Sequence, residues 1–370
     1  MKLGILTLPL HTNYGGIIQA YALQLTLNKM GHQSTVMNLN RYYIPKQKLI
    51  TAILKRTIKK YIFRKNVEIF CEKNKRHEFD IIGKEISKFV NNYISLDNID
   101  VLENVPNKYD AIVVGSDQVW RPRYVGKNLE NVFLKFTEKW DIKRIAYAAS
   151  FGTDTWEYNN DQTVKCRNLI QKFDAVAVRE DSAVDLCEKH FKVFAEHVLD
   201  PTLLLNITDY EKIILETNTP KSDGRLFVYI LDKYAENDVF IELMAKDLDL
   251  EPFFVSTDRA NAPIEKRMTV TMGAWLRSFY DAEFVIADSF HATVFSIIFN
   301  KPFIVYGNEY GLTRIQSILK LFKLENRIIR DFDYNKARAI IAEPISWKQV
   351  NINLSLLKSK SLQFLSNSLQ

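Results

Sequence analysis

Apolar and polar positions along this chain alternate between short strand-like runs and longer segments of helical period. Residues 4–8 form a strand and HTNYGG a polar turn; Ile17, Ala20, Tyr21, Leu23 and Leu27 then recur at helical spacing up to Gly31, a fitting C-terminal cap. Residues 34–39 supply the next strand and complete a βαβ unit. Buried strands follow at 109–115, 144–150 and 174–179, the last leading into a helix that runs to residue 190. Residues 197–200 read as a further strand, ended by Pro201. A polar stretch at 206–224, containing the breakers Pro220 and Gly224, predicts a domain boundary. Beyond it lie strands at 226–231, 252–256, 284–287 and 303–306, with helices at 237–248, 273–280, 294–299 and 311–322. A helical segment at 347–369 is expected to pack back across the first domain. The pattern thus predicts an α/β chain of two domains, 1–205 and 206–345, followed by a C-terminal helix within 346–370.

With 370 residues and 47% hydrophobic content, the chain can fill two cores of ordinary size. Cys71, Cys166 and Cys187 are widely spaced, odd in number and without a CxxC pair. They point away from a disulfide framework or structural zinc and toward a reducing, cytoplasmic compartment. No His, Cys and carboxylate cluster has zinc-like spacing, so no metal is expected. The opening MKLGILTLPL passes straight into the polar turn without a cleavage site and reads as the first strand. No run approaches the roughly 18 apolar residues of a membrane span. The net charge is +6, but between Lys46 and Arg76 eleven Lys or Arg face only Glu68 and Glu72, a local +9 that leaves the remainder at −3. Ile50, Leu54, Ile58, Tyr61 and Ile62 form a partial helical stripe among these cations. Two readings fit the segment: contact with an anionic membrane surface, and a solvated helix with a buried face. Nucleic acid is not expected, because no recognised nucleic-acid module accompanies the charge.

Candidate chemistry sits where strands end, which is where open α/β sheets bind ligands. The strand at 284–287 breaks into Asp288, Ser289, Phe290 and His291. Gly15 and Gly16 at a helix start would let backbone approach a phosphate, carboxylate or sugar ring; a plain tight turn is the alternative. The strand at 109–115 runs into Ser116, Asp117, Gln118, Trp120 and Arg121, a hydroxyl, a carboxylate, an amide, a flat ring and a cation suited to a sugar. The same residues also suit a structural turn, with Ser116 or Asp117 capping a helix and Trp120 covering the core. Arg179 stands where an anion can be held, unless it pairs with Glu180 or Asp181.

In order along the chain, HTNYGGIIQAYALQ, YDAIVVGSDQVWRP, YAASFG, VAVREDSAV, VLDPTLLL and ADSFHATVFSIIFNKPF resemble the motifs of the polysaccharide pyruvyl transferase family, over residues 1–326. The resemblance implies a GT-B-like architecture, two Rossmann-like domains facing a cleft. It implies transfer of the enolpyruvyl carbons of phosphoenolpyruvate onto two hydroxyls of a sugar, giving a pyruvate ketal and phosphate. His291 matches the histidine of the family's SFH motif and would be catalytic, with Asp288 orienting it or accepting from a sugar hydroxyl. Arg179, Arg314 and Ser289 would bind phosphoenolpyruvate, since an arginine fork grips carboxylate or phosphate through two bonds. The first domain would hold the acceptor through Asn13, Tyr14, Gly15, Gly16, Ser116, Asp117, Gln118, Trp120 and Arg121. No cofactor beyond the donor substrate is implied. The acceptor would be a sugar of a bacterial surface polysaccharide or its lipid-linked precursor, and the basic segment would meet the inner membrane face. Ala292 departs from the family, which commonly has Gly there; on helical backbone its methyl group is tolerable, and otherwise it would narrow the pocket or alter which acceptor fits. A nucleotide-sugar glycosyltransferase of the same architecture and a catalytically silent glycan-binding scaffold are the competing expectations.

Overall fold

Strands apolar on both faces belong in parallel sheets covered by helices on each side, and two such sheets form here. The computed structural model describes residues 1–39, 46–102, 105, 108–231, 237–255, 262–307, 311–330 and 332–370. Strands β1 (Lys2–Leu6), β2 (Gln33–Leu39), β3 (Leu96–Ile99), β4 (Ala111–Val114), β5 (Lys143–Ala149), β6 (Ala175–Val178) and β7 (Glu196–His197) make the first sheet, in the order β3-β2-β1-β4-β5-β6-β7. Strands β8 (Leu226–Tyr229), β9 (Pro252–Phe254), β10 (Phe284–Ala287), β11 (Phe303–Tyr306) and β12 (Ile328–Ile329) make the second, in the order β12-β11-β10-β8-β9. Every strand pairing among the described residues is parallel. The order reverses between β1 and β4 in the first sheet and between β8 and β10 in the second. Such reversals open a crevice at the carboxyl ends of the strands.

Eight helices bear on the function: α1 (Tyr14–Lys29), α2 (Lys46–Tyr61), α3 (Cys71–Ile82), α4 (Ile207–Glu216), α5 (Met272–Asp281), α6 (Phe290–Ile298), α7 (Leu312–Phe322) and α8 (Trp347–Ser368). The polar stretch at 206–224 proves to contain α4. Thr208, Lys212 and Glu216 face solvent together with Ile207 and Leu215, while Tyr210, Ile213 and Ile214 are buried, and Asp209 Oδ2 accepts from Asn206 N at 2.9 Å to fix the helix start. The strand expected at 197–200 ends at His197. Pro201 cannot donate to a ladder, and Asp200 instead opens a 3-10 turn, Pro201–Leu204, by accepting from Thr202 N. Ser256, the end of the strand expected at 252–256, and the side chains of Lys46 and Lys48 lie outside the described residues.

The two sheets share one continuous core, in which Ile17, Ile18 and Leu23 of α1 join Trp275, Phe279 and Phe295 of α5 and α6. Tyr14 stacks on Trp275, with ring centroids 5.3 Å apart and planes 3° from parallel, and its hydroxyl donates to Val270 O. Helix α8 packs back on the first domain, as the pattern predicted. It buries Val350, Ser361, Phe364 and Leu365, Ser361 Oγ accepts from Leu199 N at 3.0 Å, and Lys143 Nζ reaches Gln370 O. No described helix is long and apolar enough to cross a membrane. Because Leu365 is fully buried, Leu365→Ala is expected to cost roughly 2–5 kcal/mol, measured as a lower midpoint in urea unfolding.

Candidate active site

The centre of the site is a buried ion pair. Arg179, immediately after β6, donates through Nη1 to Asp200 Oδ2 at 2.9 Å and to Ser116 Oγ at 3.2 Å. The two charged side chains are 1% and 0% exposed. Ser116 Oγ itself donates to Asp200 Oδ2 at 2.8 Å, and Oδ1 accepts from Thr202 N and Oγ1. His291 Nε2 lies 3.7 Å from the same Oδ2. Burial pushes the Asp200 carboxyl up, but His291, Arg179 and Thr202 outweigh it and hold the group well below the usual carboxylate range. The Glu180 or Asp181 pairing considered for Arg179 does not form. Glu180 Oε1 accepts from Ser150 Oγ, Phe151 N and Gly152 N, and Asp181 pairs with Lys320.

Arg179 spends only part of its donor set. Its Nε and Nη2 are buried with no hydrogen-bond partner among the described residues, and its guanidinium stacks over Phe290 at 4.5 Å. Arg314, from α7, lies 5.9 Å from the same ring, and its Nε is equally unpaired. Burial first, and the charge of Arg179 second, push Arg314 down to about 10 against the pull of Glu180 and Asp117. Two like charges share one aromatic ring and keep free donors, an arrangement that favours a small polyanion.

His291 reaches this cluster because of a glycine in the other domain. A Cβ on Gly15 would fall 2.0 Å from His291 Nδ1, so the imidazole packs directly on the backbone of α1. Ser289 caps α6, its Oγ accepting from Ala292 N. The carboxylate within 4 Å of His291 among the described residues is Asp200, not the expected Asp288. Both Asp288 oxygens accept from Leu231 N, at 2.9 and 2.8 Å, which ties the chain leaving β10 to the chain leaving β8. Ala292 is fully buried within the core, so its methyl group adds to packing and does not narrow the site.

Beside the cluster, a cavity of about 620 Å³ opens at the carboxyl ends of β1 and β4, lined by Thr7, His11, Asn13, Gly16, Asp117, Tyr124 and Asn128 among others. That volume suits a ligand of sugar size. Asn13 also caps α1, accepting from Gly16 N at 3.1 Å. Asp117 has φ 92, a strained conformation for a residue with a Cβ, and its carbonyl accepts from Val119 N and Ser150 N. Of the nine residues expected to hold an acceptor, Asn13, Gly16 and Asp117 line this cavity. The others serve the frame. Tyr14 lies in the interface between domains, Gly15 under His291, and Ser116 under Asp200. Gln118 accepts from Arg121 at 3.0 Å, Arg121 pairs with Glu157 at 2.9 Å, and Trp120 is fully buried against Phe133. Asp200 was not expected at the site, and Phe290, though part of the expected DSFH turn, was given no role in it. The signal for Asp200 was available, since a carboxylate inside the apolar run VLDPTLLL must find a cation or donors. Among the described residues, no group of three or more His, Cys, Asp or Glu is placed to hold a metal ion.

Two stability measurements test this geometry. Gly15→Ala should destabilise the fold by about 1–3 kcal/mol through overpacking, whereas in a His291→Ala background the same change should become neutral or stabilising by up to about 1 kcal/mol, as Ala replaces Gly in a helix; paired denaturation curves report the change of sign. Asp200→Asn should cost about 3–5 kcal/mol at neutral pH, because it strands a buried cation. Since the Asp200 carboxyl is depressed in the folded state, its contribution is complete above about pH 4. It is lost as pH falls further toward the folded value, so the gap between wild type and Asp200→Asn should hold from neutral pH to about pH 4 and shrink below.

The chain is 12% identical to the UDP-GlcNAc 2-epimerase of Neisseria meningitidis, solved bound to UDP-GlcNAc, with a TM-score of 0.53 over 100% of this chain and 99% of that one. Against Arabidopsis thaliana UGT89C1, solved with UDP-L-rhamnose, it is 11% identical with a TM-score of 0.50, over 97% and 94% of the two chains. These likenesses give the fold, the GT-B arrangement of two Rossmann-like domains. General stress protein 30 of Bacillus subtilis (strain 168) is 25% identical over 202 residues, 50% of this chain and 56% of that protein, so the match spans little more than half of the relative's length. The model of one family, polysaccharide pyruvyl transferase, matches residues 13–310, from the cap of α1 through the DSFH turn to the approach to α7. With every element of the buried cluster except Arg314 inside that match, the chain belongs to the polysaccharide pyruvyl transferase family.

Proposed function

We propose that this protein transfers the enolpyruvyl group of phosphoenolpyruvate to two hydroxyls of a sugar in a bacterial surface polysaccharide or its lipid-linked precursor. The observation that carries this reading is the pair of guanidiniums around Phe290 with unpaired buried donors beside His291. Phosphoenolpyruvate presents a carboxylate and a phosphate close together, and two arginine forks suit that spacing of charge. The cavity lined by Asn13, Gly16 and Asp117 receives the sugar.

The reaction adds a proton to the methylene carbon of phosphoenolpyruvate, leaving C2 electron-poor, and a sugar oxygen bonds to C2 as its hydroxyl proton departs. The C2–O bond to phosphate then breaks with its electron pair going to phosphate, and the second sugar oxygen closes the ketal as it loses its proton. Of the two hydroxyl protons released, one balances the proton taken up by the methylene carbon and the other leaves on hydrogen phosphate. His291 is the proton-transfer residue, since imidazole exchanges protons near neutral pH. Arg179 and Arg314 hold the donor and the departing phosphate, and Asp200 positions His291 and Arg179 together.

Incubation of the protein with phosphoenolpyruvate and a panel of free and lipid-linked glycans, following product mass and phosphate together, tests the reading. The expected product is a glycan heavier by one pyruvate ketal, with one phosphate released per product. His291→Ala should lower turnover by roughly 100-fold or more while leaving the fold intact by circular dichroism. Nucleotide release from a sugar nucleotide would support the glycosyltransferase reading instead, and glycan binding that persists without turnover in both proteins would support the scaffold.

A further inference from the structure

Helix α2 carries its apolar stripe on the wrong side for a soluble protein. Ile50, Leu54, Ile58 and Tyr61 recur at three- and four-residue spacing, and they are exposed, at 59%, 58%, 44% and 69%. Ile62 and Phe63 extend the patch and are exposed too. A surface helix ordinarily turns such a stripe toward the core. Here the opposite side, with Leu49, Ala52, Ile53 and Thr57, is only half-buried. Lys55, Lys59, Lys60, Arg64 and Lys65 surround the stripe, all exposed, and none makes an ion pair among the described residues. The exception in the segment is Arg56, whose fork meets Glu72 at 2.6 and 2.5 Å and so fastens α2 to α3.

Helix α3 is in turn attached to the acceptor side of the site. Phe79 stacks on His11, a residue of the 620 Å³ cavity, with centroids 3.8 Å apart. Glu78 pairs with Arg267, and Ile82 O accepts from Thr269 of the second domain. The exposed stripe therefore belongs to a platform braced against the cavity.

We propose that α2 and the residues through Lys65 dock this protein on an anionic lipid bilayer. Charge selects the occupant. A second copy would set the local +9 of this segment against another +9, and like charges repel. A soluble polyanion would leave Ile50, Leu54 and Ile62 in water. A bilayer with acidic headgroups satisfies both features, burying the aliphatic stripe at the headgroup boundary while long cationic side chains reach phosphate around it. Docked in this way, the platform lies alongside the cavity and brings a lipid-linked sugar within its reach; that consequence rests on the proposed function, whereas the docking does not.

Co-sedimentation of the full chain with phosphatidylcholine vesicles, with and without phosphatidylglycerol, provides the test. The wild type should pellet with the phosphatidylglycerol vesicles, stay in solution with phosphatidylcholine alone, and detach as salt is raised. Reversal of Lys55, Lys59, Lys60, Arg64 and Lys65 to Glu should reduce binding by roughly 100-fold or more, and Ile50→Ser with Leu54→Ser and Ile62→Ser should weaken it by about tenfold or more. Failure of the wild type to pellet, or equal pelleting by both variants, overturns the proposal. So does binding to free polyphosphate with none to vesicles, or a concentration-dependent dimer in ultracentrifugation that the serine variant abolishes. Turnover on a water-soluble glycan, measured in parallel, should be the same in wild type and variants. Intact turnover without vesicle binding sinks the docking alone, and vesicle binding without turnover on any phosphoenolpyruvate and glycan pair sinks only the functional reading.

Discussion

A guanidinium buried as deeply as that of Arg179 requires a counter-charge, and Asp200 supplies one along a single edge. Isolated burial of either group would cost several kcal/mol, so the chain after β7 is held where the 3-10 turn can present its carboxylate. The same carboxylate faces His291, which makes one residue the common reference for a cation from the first domain and an imidazole from the second. What Asp200 leaves unsatisfied matters equally. The unpaired donors of Arg179 and the lowered proton affinity of Arg314 describe a site under electrostatic tension, with two like charges buried near one aromatic ring.

That tension is concentrated because both sheets place their strand-order reversals against each other. The β1/β4 crevice supplies Gly15, Ser116 and Asp117, and the β8/β10 crevice supplies Phe290 and His291. Asp288 holds the second crevice in shape by joining the ends of β8 and β10. Gly15 then removes the one atom that would keep the two apart. Because Tyr14 and Trp275 stack across the same junction inside a shared core, the meeting of the crevices is a packed contact between side chains.

Much of this was legible from residue order. Apolar runs marked ten of the twelve strands among the described residues, since a strand covered on both faces has nowhere to place a polar residue. Strand ends then pointed to Ser116, Asp117, Arg179 and His291. Strands β3 and β12, short or half-polar, carried too weak a pattern, and α4 passed for a linker because the polar residues 217–224 that follow it, with Pro220 and Gly224, dominate the stretch. Local reading erred most over partners. Asp288 stands three residues from His291 and Asp200 ninety-one before it, yet Asp200 is the neighbour, because the sheets and the 3-10 turn decide the approach. Trp120 and Arg121 resembled a sugar platform, but the path of the chain after β4 turns them inward. No spacing rule encodes that turn.

The return of α8 across the first domain has a consequence for biosynthesis. Chains tend to fold from the N-terminus as they are made, but Leu199 N and the apolar flank near Tyr147 find their cover in Ser361 and Phe364. While residues 206–346 are still being added, the first domain must persist with that flank bare to other chains. The first domain therefore cannot complete its own core until α8 has been made and closes the seam.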